Sequence, residues 1–146
     1  MFDTPGQGFG RKDMSHRHED WFRQAQRDLE QARLSMQAGH HEWACFAAQQ
    51  AAEKAVKALH LALGQDVWGH VIAKLLQALP ESISVPPELI EKARVLDGYY
   101  IPPRYPNGHA EGAPFEHYGP LQSHQAVTFA EEIVAFVQAH LPREEK

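Results

Sequence analysis

The sequence predicts an all-α fold, and three observations carry that prediction. Apolar residues recur at steps of three and four along most of the 146-residue chain; glycines and prolines stand where such stretches begin or end; and no segment alternates apolar with polar residues as a half-buried strand would. At this length the chain suits one domain, with a core large enough to hold without disulfides or metal.

Residues 1–15 stand outside the pattern. They hold Pro5, Gly6, Gly8 and Gly10 with little apolar periodicity, so they read as a flexible leader before a helical domain over residues 16–142, with Met14 as a second candidate start. Trp21, Ala25, Leu29, Ala32 and Met36 then follow at helical steps, which puts them on one face. Arg23, Arg27, Glu30 and Gln37 take the other side, and Gly39 is placed to end this first helix.

The second helix is expected from about His41 to Leu63, with Ala44, Ala48, Ala51, Ala55, Leu59 and Ala62 as its inner stripe and Gly64 as its stop. So many alanines imply that a neighbouring backbone packs close. Gln49, Gln50, Glu53, Lys54 and Lys57 form a polar row that reads as a solvated face, with Glu53 and Lys57 paired one turn apart. A short third helix, from about Val71 to Leu79, stops at Pro80. Pro86 and Pro87 open a fourth, whose stripe is Leu89, Ala93, Leu96 and Tyr100 and which Pro102 and Pro103 end. The last helix, from about Pro120 to His140, carries Val127, Ala130, Val134, Val137 and Leu141.

Between the last two helices, Pro102 to Gly119 is an eighteen-residue segment with four prolines, three glycines and a concentration of aromatics and histidines. Loops of this length within a compact domain are uncommon, and this one has the composition of a functional loop rather than of filler.

Composition excludes several classes. Nothing reaches the roughly 18 consecutive apolar residues of a membrane span, and the N-terminus lacks the order of a signal peptide. The single Cys45 has no disulfide partner within the chain, reads as a packed small hydrophobe and suits a reducing cytoplasm. A net charge of −5 argues against a broad nucleic-acid surface, so any RNA contact must be local. His16, His18, His40 and His41 lack the cysteines or clustered carboxylates that would complete a tetrahedral site, so no metal or other cofactor is expected. Gly6, Gly8 and Gly10 are followed by no Gly-Lys-Ser/Thr sequence and make no phosphate loop.

The string from Ala44 to Leu59, ACFAAQQAAEKAVKAL, resembles the signature second helix of prokaryotic HEPN domains, the helical family named for higher eukaryotes and prokaryotes nucleotide binding. The same resemblance takes in Trp21 to Ala32, Gly69-His70 before Leu75-Leu76, Leu96-Asp97, Tyr99-Tyr100-Ile101-Pro102 and Arg104-Tyr105-Pro106, in the family's order. It implies an up-and-down bundle of four to five helices that forms a homodimer, often encoded beside a minimal nucleotidyltransferase protein as a toxin–antitoxin pair. Two long helices with wide apolar faces also have more surface to hide than a small bundle covers alone.

Many members of the family are metal-independent ribonucleases whose motif is an arginine, four to six residues, then a histidine, with two motifs facing each other across the dimer. Arg104 and His109 have that spacing. A histidine can take a proton from an RNA 2′-hydroxyl while a guanidinium stabilises the phosphorane. The intervening Tyr105-Pro106-Asn107-Gly108 reads as a turn, where the nuclease motif usually lies on a helix. The alternative is a non-catalytic nucleotide-binding or accessory subunit that binds the nucleotidyltransferase. There Arg104 holds phosphate, Tyr105, Tyr118 or Trp68 stacks on a base, and Lys54 and Lys57 serve as groove residues. His109 is indispensable to the first reading and optional in the second. Asp97 is expected to support an arginine, Arg104 or a neighbour, by ion pair or hydrogen bond, and His70 to be structural. In family toxins a tyrosine two residues after the histidine is adenylylated; Glu111 holds that position here and Tyr118 is a distant substitute.

Overall fold

The computed structural model describes residues 17–142. The leader, Met14 and His16 lie outside the described residues.

Among the described residues, five α-helices and two short 3-10 turns follow in order: α1 (His18–Gln37), α2 (His41–Ala62), α3 (Ile72–Gln77), α4 (Pro87–Asp97), the turns Pro106–Gly108 and Pro114–Glu116, and α5 (Pro120–His140). There is no strand among the described residues. The second helix is the axis of the bundle, packing against α1 and α5 most extensively and against α3 and α4 as well. Ala44, Ala48, Ala51, Ala52, Ala55 and Ala58 are all fully buried on it, which lets the neighbouring helices approach closely.

Gly39 takes φ +85, a left-handed conformation that lets the chain leave α1 and re-enter α2 within three residues. The first stripe is rotated from its expected position. Phe22 and Ser35 are buried with Ala25, Leu29 and Ala32, while Trp21 and Met36 are only half-buried at the edge. Helix α4 also stops sooner than its prolines require. It ends at Asp97, and Tyr100 lies beyond it; the Asp97 carboxylate accepts hydrogen bonds from the backbone N–H of Ile72 at 2.6 Å and of Ala73 at 3.1 Å. A side chain from one helix end thus caps the start of another, satisfying two of the donors that α3 leaves open.

His60 is a second tie of this kind. Fully buried near the end of α2, it donates from Nε2–H to the Leu75 carbonyl at 2.7 Å and places Nδ1 2.9 Å from Gln65 Oε1. Cys45 is fully buried, as expected of a packed small hydrophobe, and burial pushes its thiol up to about 12, with nearby Glu42 adding to the effect. No described helix is long and apolar enough to cross a membrane.

Candidate functional site

The polar row of α2 is where the sequence reading most needs correction. Gln49 is fully buried and Glu53 is 5% exposed, so this is not a solvated face. The residues after α2 fold back over it and place Gly69, at φ +100, just before His70. Gln49 then reaches the His70 carbonyl from its amide Nε2–H at 3.4 Å, closing the segment onto the helix.

A buried carboxylate must find donors, and Glu53 has three. Lys57 Nζ and the His70 Nδ1–H both donate to Oε2 at 2.9 Å, and Gln49 Nε2–H donates to Oε1 at 3.0 Å. Burial alone would raise its carboxyl, but the bonds from Lys57, Gln49 and His70 and the charge of Lys57 outweigh it and hold Glu53 below the usual glutamate value. Lys57 is therefore occupied inside the fold. Lys54 is paired as well, with Asp28 of α1 at 2.6 Å, although it lines a groove of about 490 Å³ between α1 and α2 together with Trp43, Phe46 and Gln50.

His70 does more than start a helix. Its ring stacks on Tyr100 with centroids 4.4 Å apart and planes 19° apart, and its side chain is 52% exposed. Because Nδ1–H is given to Glu53, the neutral tautomer carries its lone pair on Nε2, on the far side of the ring from the carboxylate.

Tyr100 joins this pair to Arg104. The guanidinium carbon lies 4.8 Å from the Tyr100 centroid, 4.3 Å from Phe46 and 5.3 Å from Tyr105, while Nε–H donates to the Tyr100 carbonyl at 2.8 Å. The planar group is thus held by three rings and one hydrogen bond, and no acceptor among the described residues meets its two terminal nitrogens. A guanidinium with both terminal nitrogens open can donate to a bidentate anion. Asp97 is not its partner. Its two oxygens serve the start of α3, and burial raises its carboxyl above the usual aspartate value against the pull of those backbone donors, with the charge of Glu53 adding to the rise.

His109 belongs to a different cluster. It follows the 3-10 turn Pro106–Gly108, so the Asn107-Gly108 turn is present, and the motif does not lie on a helix. Its Nε2–H donates to the Pro102 carbonyl at 2.8 Å, its ring stacks on His117 at 4.2 Å with planes 3° apart, and Tyr118 meets it edge-on at 5.6 Å. His117 in turn donates to the Glu111 carbonyl at 2.6 Å, and Tyr118 packs edge-on against Tyr99. These contacts fasten the long loop to itself. Burial pushes Tyr99 up to about 12 and raises Tyr118 as well. No hydrogen bond or ring contact joins His109 or Tyr118 to Arg104, and Trp68 stands 87% exposed.

The HEPN domain family model matches residues 18–140. This chain belongs to the HEPN family. Among solved structures it is similar to TT1696 from Thermus thermophilus, at 51% identity and a TM-score of 0.84 over 86% of this chain and 98% of that one. It is also similar to ST0689, an archaeal HEPN homologue, at 39% identity and a TM-score of 0.74 over 86% and 98%. A HEPN domain protein from Thermotoga maritima matches at 32% identity and a TM-score of 0.67 over 82% and 95%. No curated protein matches the chain.

In this HEPN domain the sequence singled out Arg104 and Tyr105 as candidate binding residues and His70 as structural, and gave no sign that Glu53, Gln49, Phe46 and Tyr100 lie beside them. One signal was available for Glu53. Ala51, Ala52, Ala55 and Val56 surround it in sequence, so the apolar surface of α2 is wider than one stripe, and a carboxylate at the edge of such a surface needs partners if it is covered. Among the described residues no group of three or more histidines, cysteines or carboxylates is placed to hold a metal ion. His41, one of the four histidines considered as ligands, places Nδ1 2.7 Å from Ser123 Oγ in a hydrogen bond.

Proposed function

We propose that this HEPN domain is a nucleotide-binding accessory subunit of a nucleotidyltransferase-linked, toxin–antitoxin-type module, with Arg104 as its phosphate-recognising residue. The observation that carries this reading is the Arg104 fork, stacked on Phe46, Tyr100 and Tyr105 and anchored at Nε, with its terminal nitrogens open. A guanidinium fixed in advance loses little freedom when an anion arrives, which is where binding energy is otherwise spent. Tyr105, 48% exposed beside it, offers a face on which a base can stack. A homodimer fits the same reading: Leu34, Trp43, Phe115 and Leu121 are all substantially exposed, and a second copy would cover apolar surface of that kind.

The second reading is the metal-independent ribonuclease. It is favoured by one feature of His109: with Nε2–H given to Pro102, the neutral ring keeps its basic lone pair on Nδ1, and a partner copy could bring an RNA 2′-hydroxyl and a second Arg104 to it. The two readings separate in a single set of experiments. AMP and ATP are titrated into wild type and Arg104→Ala, and generic RNA is incubated with wild type, Arg104→Ala and His109→Ala in the presence of chelator. Saturable nucleotide binding lost in Arg104→Ala, with intact RNA throughout, supports the accessory subunit. RNA cleavage leaving 2′,3′-cyclic phosphate ends, abolished in both folded variants, establishes the nuclease instead. Nucleotide binding that survives Arg104→Ala rejects Arg104 as the phosphate site.

A further inference from the structure

The Glu53–His70 pair and the Arg104 fork share a wall. The His70 imidazole lies 4.4 Å and the Arg104 guanidinium carbon 4.8 Å from the centroid of one ring, Tyr100, so they can be no farther apart than the sum of those distances. Both groups therefore border the Tyr100 ring, and a phosphate reached by both would accept hydrogen bonds of about 2.8 Å from each. The two terminal nitrogens of Arg104 and Nε2 of His70 have no hydrogen-bond partner among the described residues.

Glu53 gives His70 a particular capability. A surface imidazole rotates and offers either nitrogen, but this one is held by a carboxylate that is itself anchored by Lys57 and Gln49. When the ring is protonated it donates from both nitrogens at once, Nδ1–H to Glu53 and Nε2–H outward, so the outward donor comes with a positive charge and a fixed direction.

We propose that His70 is the second phosphate-contacting residue of the Arg104 site, and that the site therefore selects a terminal phosphomonoester over a phosphodiester. The inference rests on the nucleotide-binding reading of Arg104 and adds the ligand class. A nucleoside monophosphate carries a charge of about −1.5 to −2 on three free oxygens near neutral pH, enough to engage the fork and the imidazolium together. A cyclic diester has one charge and two free oxygens, and occupies the fork alone. No bond is made or broken in the ligand.

The test compares the affinity of AMP with that of adenosine 3′,5′-cyclic monophosphate by calorimetry. The proteins are the full chain as wild type, His70→Asn, His70→Gln and Arg104→Ala, each checked for the wild-type helical circular dichroism spectrum. Asparagine can keep an N–H for Glu53 while deleting the outward nitrogen, and glutamine places an amide near the Nε2 position. The expected result is that wild type prefers AMP by about tenfold, that H70N loses this preference, and that H70Q keeps part of it. If H70N retains the preference, His70 only holds Glu53 in place and the inference is overturned. Equal affinity of wild type for the two nucleotides overturns it too, and decides the matter even if neither variant folds. Failure of the underlying reading looks different: either wild type binds neither nucleotide or Arg104→Ala binds as well as wild type, and the inference then falls with it.

Discussion

Replacing Glu53 with glutamine changes one atom of a buried side chain and has a consequence that can be worked from its three donors. Lys57 and His70 both donate to Oε2, and Gln49 donates to Oε1. A glutamine has one carbonyl oxygen. If that oxygen faces Lys57 and His70, its NH2 meets the Gln49 NH2; turned the other way, its NH2 meets two donors, one of them charged. At least one hydrogen bond is lost in either pose, and Lys57, whose side chain is 13% exposed, loses its counter-charge. Breaking a buried pair by removing one partner costs about 3–5 kcal/mol, and the surviving neutral bonds together with the reach of the lysine stem recover part of it, so Glu53→Gln is expected to cost about 2–3 kcal/mol. For a domain of this size that is a fall in Tm of about 8–12 °C. The assay is urea and thermal unfolding at pH 7, followed by circular dichroism. A companion variant, Glu53→Gln with Lys57→Met, removes the orphaned charge and should recover about 1 kcal/mol or more of the loss. The pH dependence supplies a second check. Glu53 sits below its ordinary value of 4.5 in the folded chain, so its contribution is fully present above that pH and is lost as pH falls through the lower folded value. Glu53→Gln should therefore cost less in strong acid than at neutrality. A single variant within about 0.5 kcal/mol of wild type at pH 7 would refute the reasoning and return Glu53 to a solvated face.

Further expectations concern other ties in the fold. Asp97→Ala leaves the Ile72 and Ala73 N–H groups without their acceptor and is expected to cost about 2 kcal/mol, with faster hydrogen exchange concentrated in α3. The pH dependence at this residue has the opposite sign to that at Glu53: its folded value is raised above 3.8, so the ionised form is penalised and its contribution to stability falls as pH rises through the interval between the two values. Asp97→Asn should flatten that slope in acid unfolding titrations. His109→Ala removes both the bond to Pro102 and the stacking on His117, and should loosen residues 102–119 at a cost of about 1–2 kcal/mol, measured as faster amide exchange and proteolytic nicking confined to that loop. Cys45, fully buried with its thiol pushed up to about 12, should resist a thiol reagent in the native state and react at the rate of unfolding; fast labelling of folded protein would contradict its place in the core.

The sequence by itself determined the class of this protein and most of its helices. Steps of three and four residues place a stripe on a helix whatever the helix packs against, and Gly39, Gly64, Pro87 and Pro120 mark boundaries through backbone conformation alone, which is why α2 and α5 fall close to where they were expected. It also determined that Arg104 and Tyr105 are adjacent, and that Glu53 and Lys57 face each other one turn apart. Tertiary structure decided the rest, because the remaining outcomes depend on which parts of the chain meet. A polar row reads as solvated until a later segment folds over it, and only the return of Gly69-His70 turned Gln49 and Glu53 into buried, fully partnered groups. Periodicity could not show that the Asp97 carboxylate would cap two backbone donors from a segment about 25 residues earlier. Nor could spacing separate Arg104 from His109. Four residues of turn allow the two side chains to meet or to part, and they part because the rings of Phe46 and Tyr100 hold one while Pro102, His117 and Tyr118 hold the other.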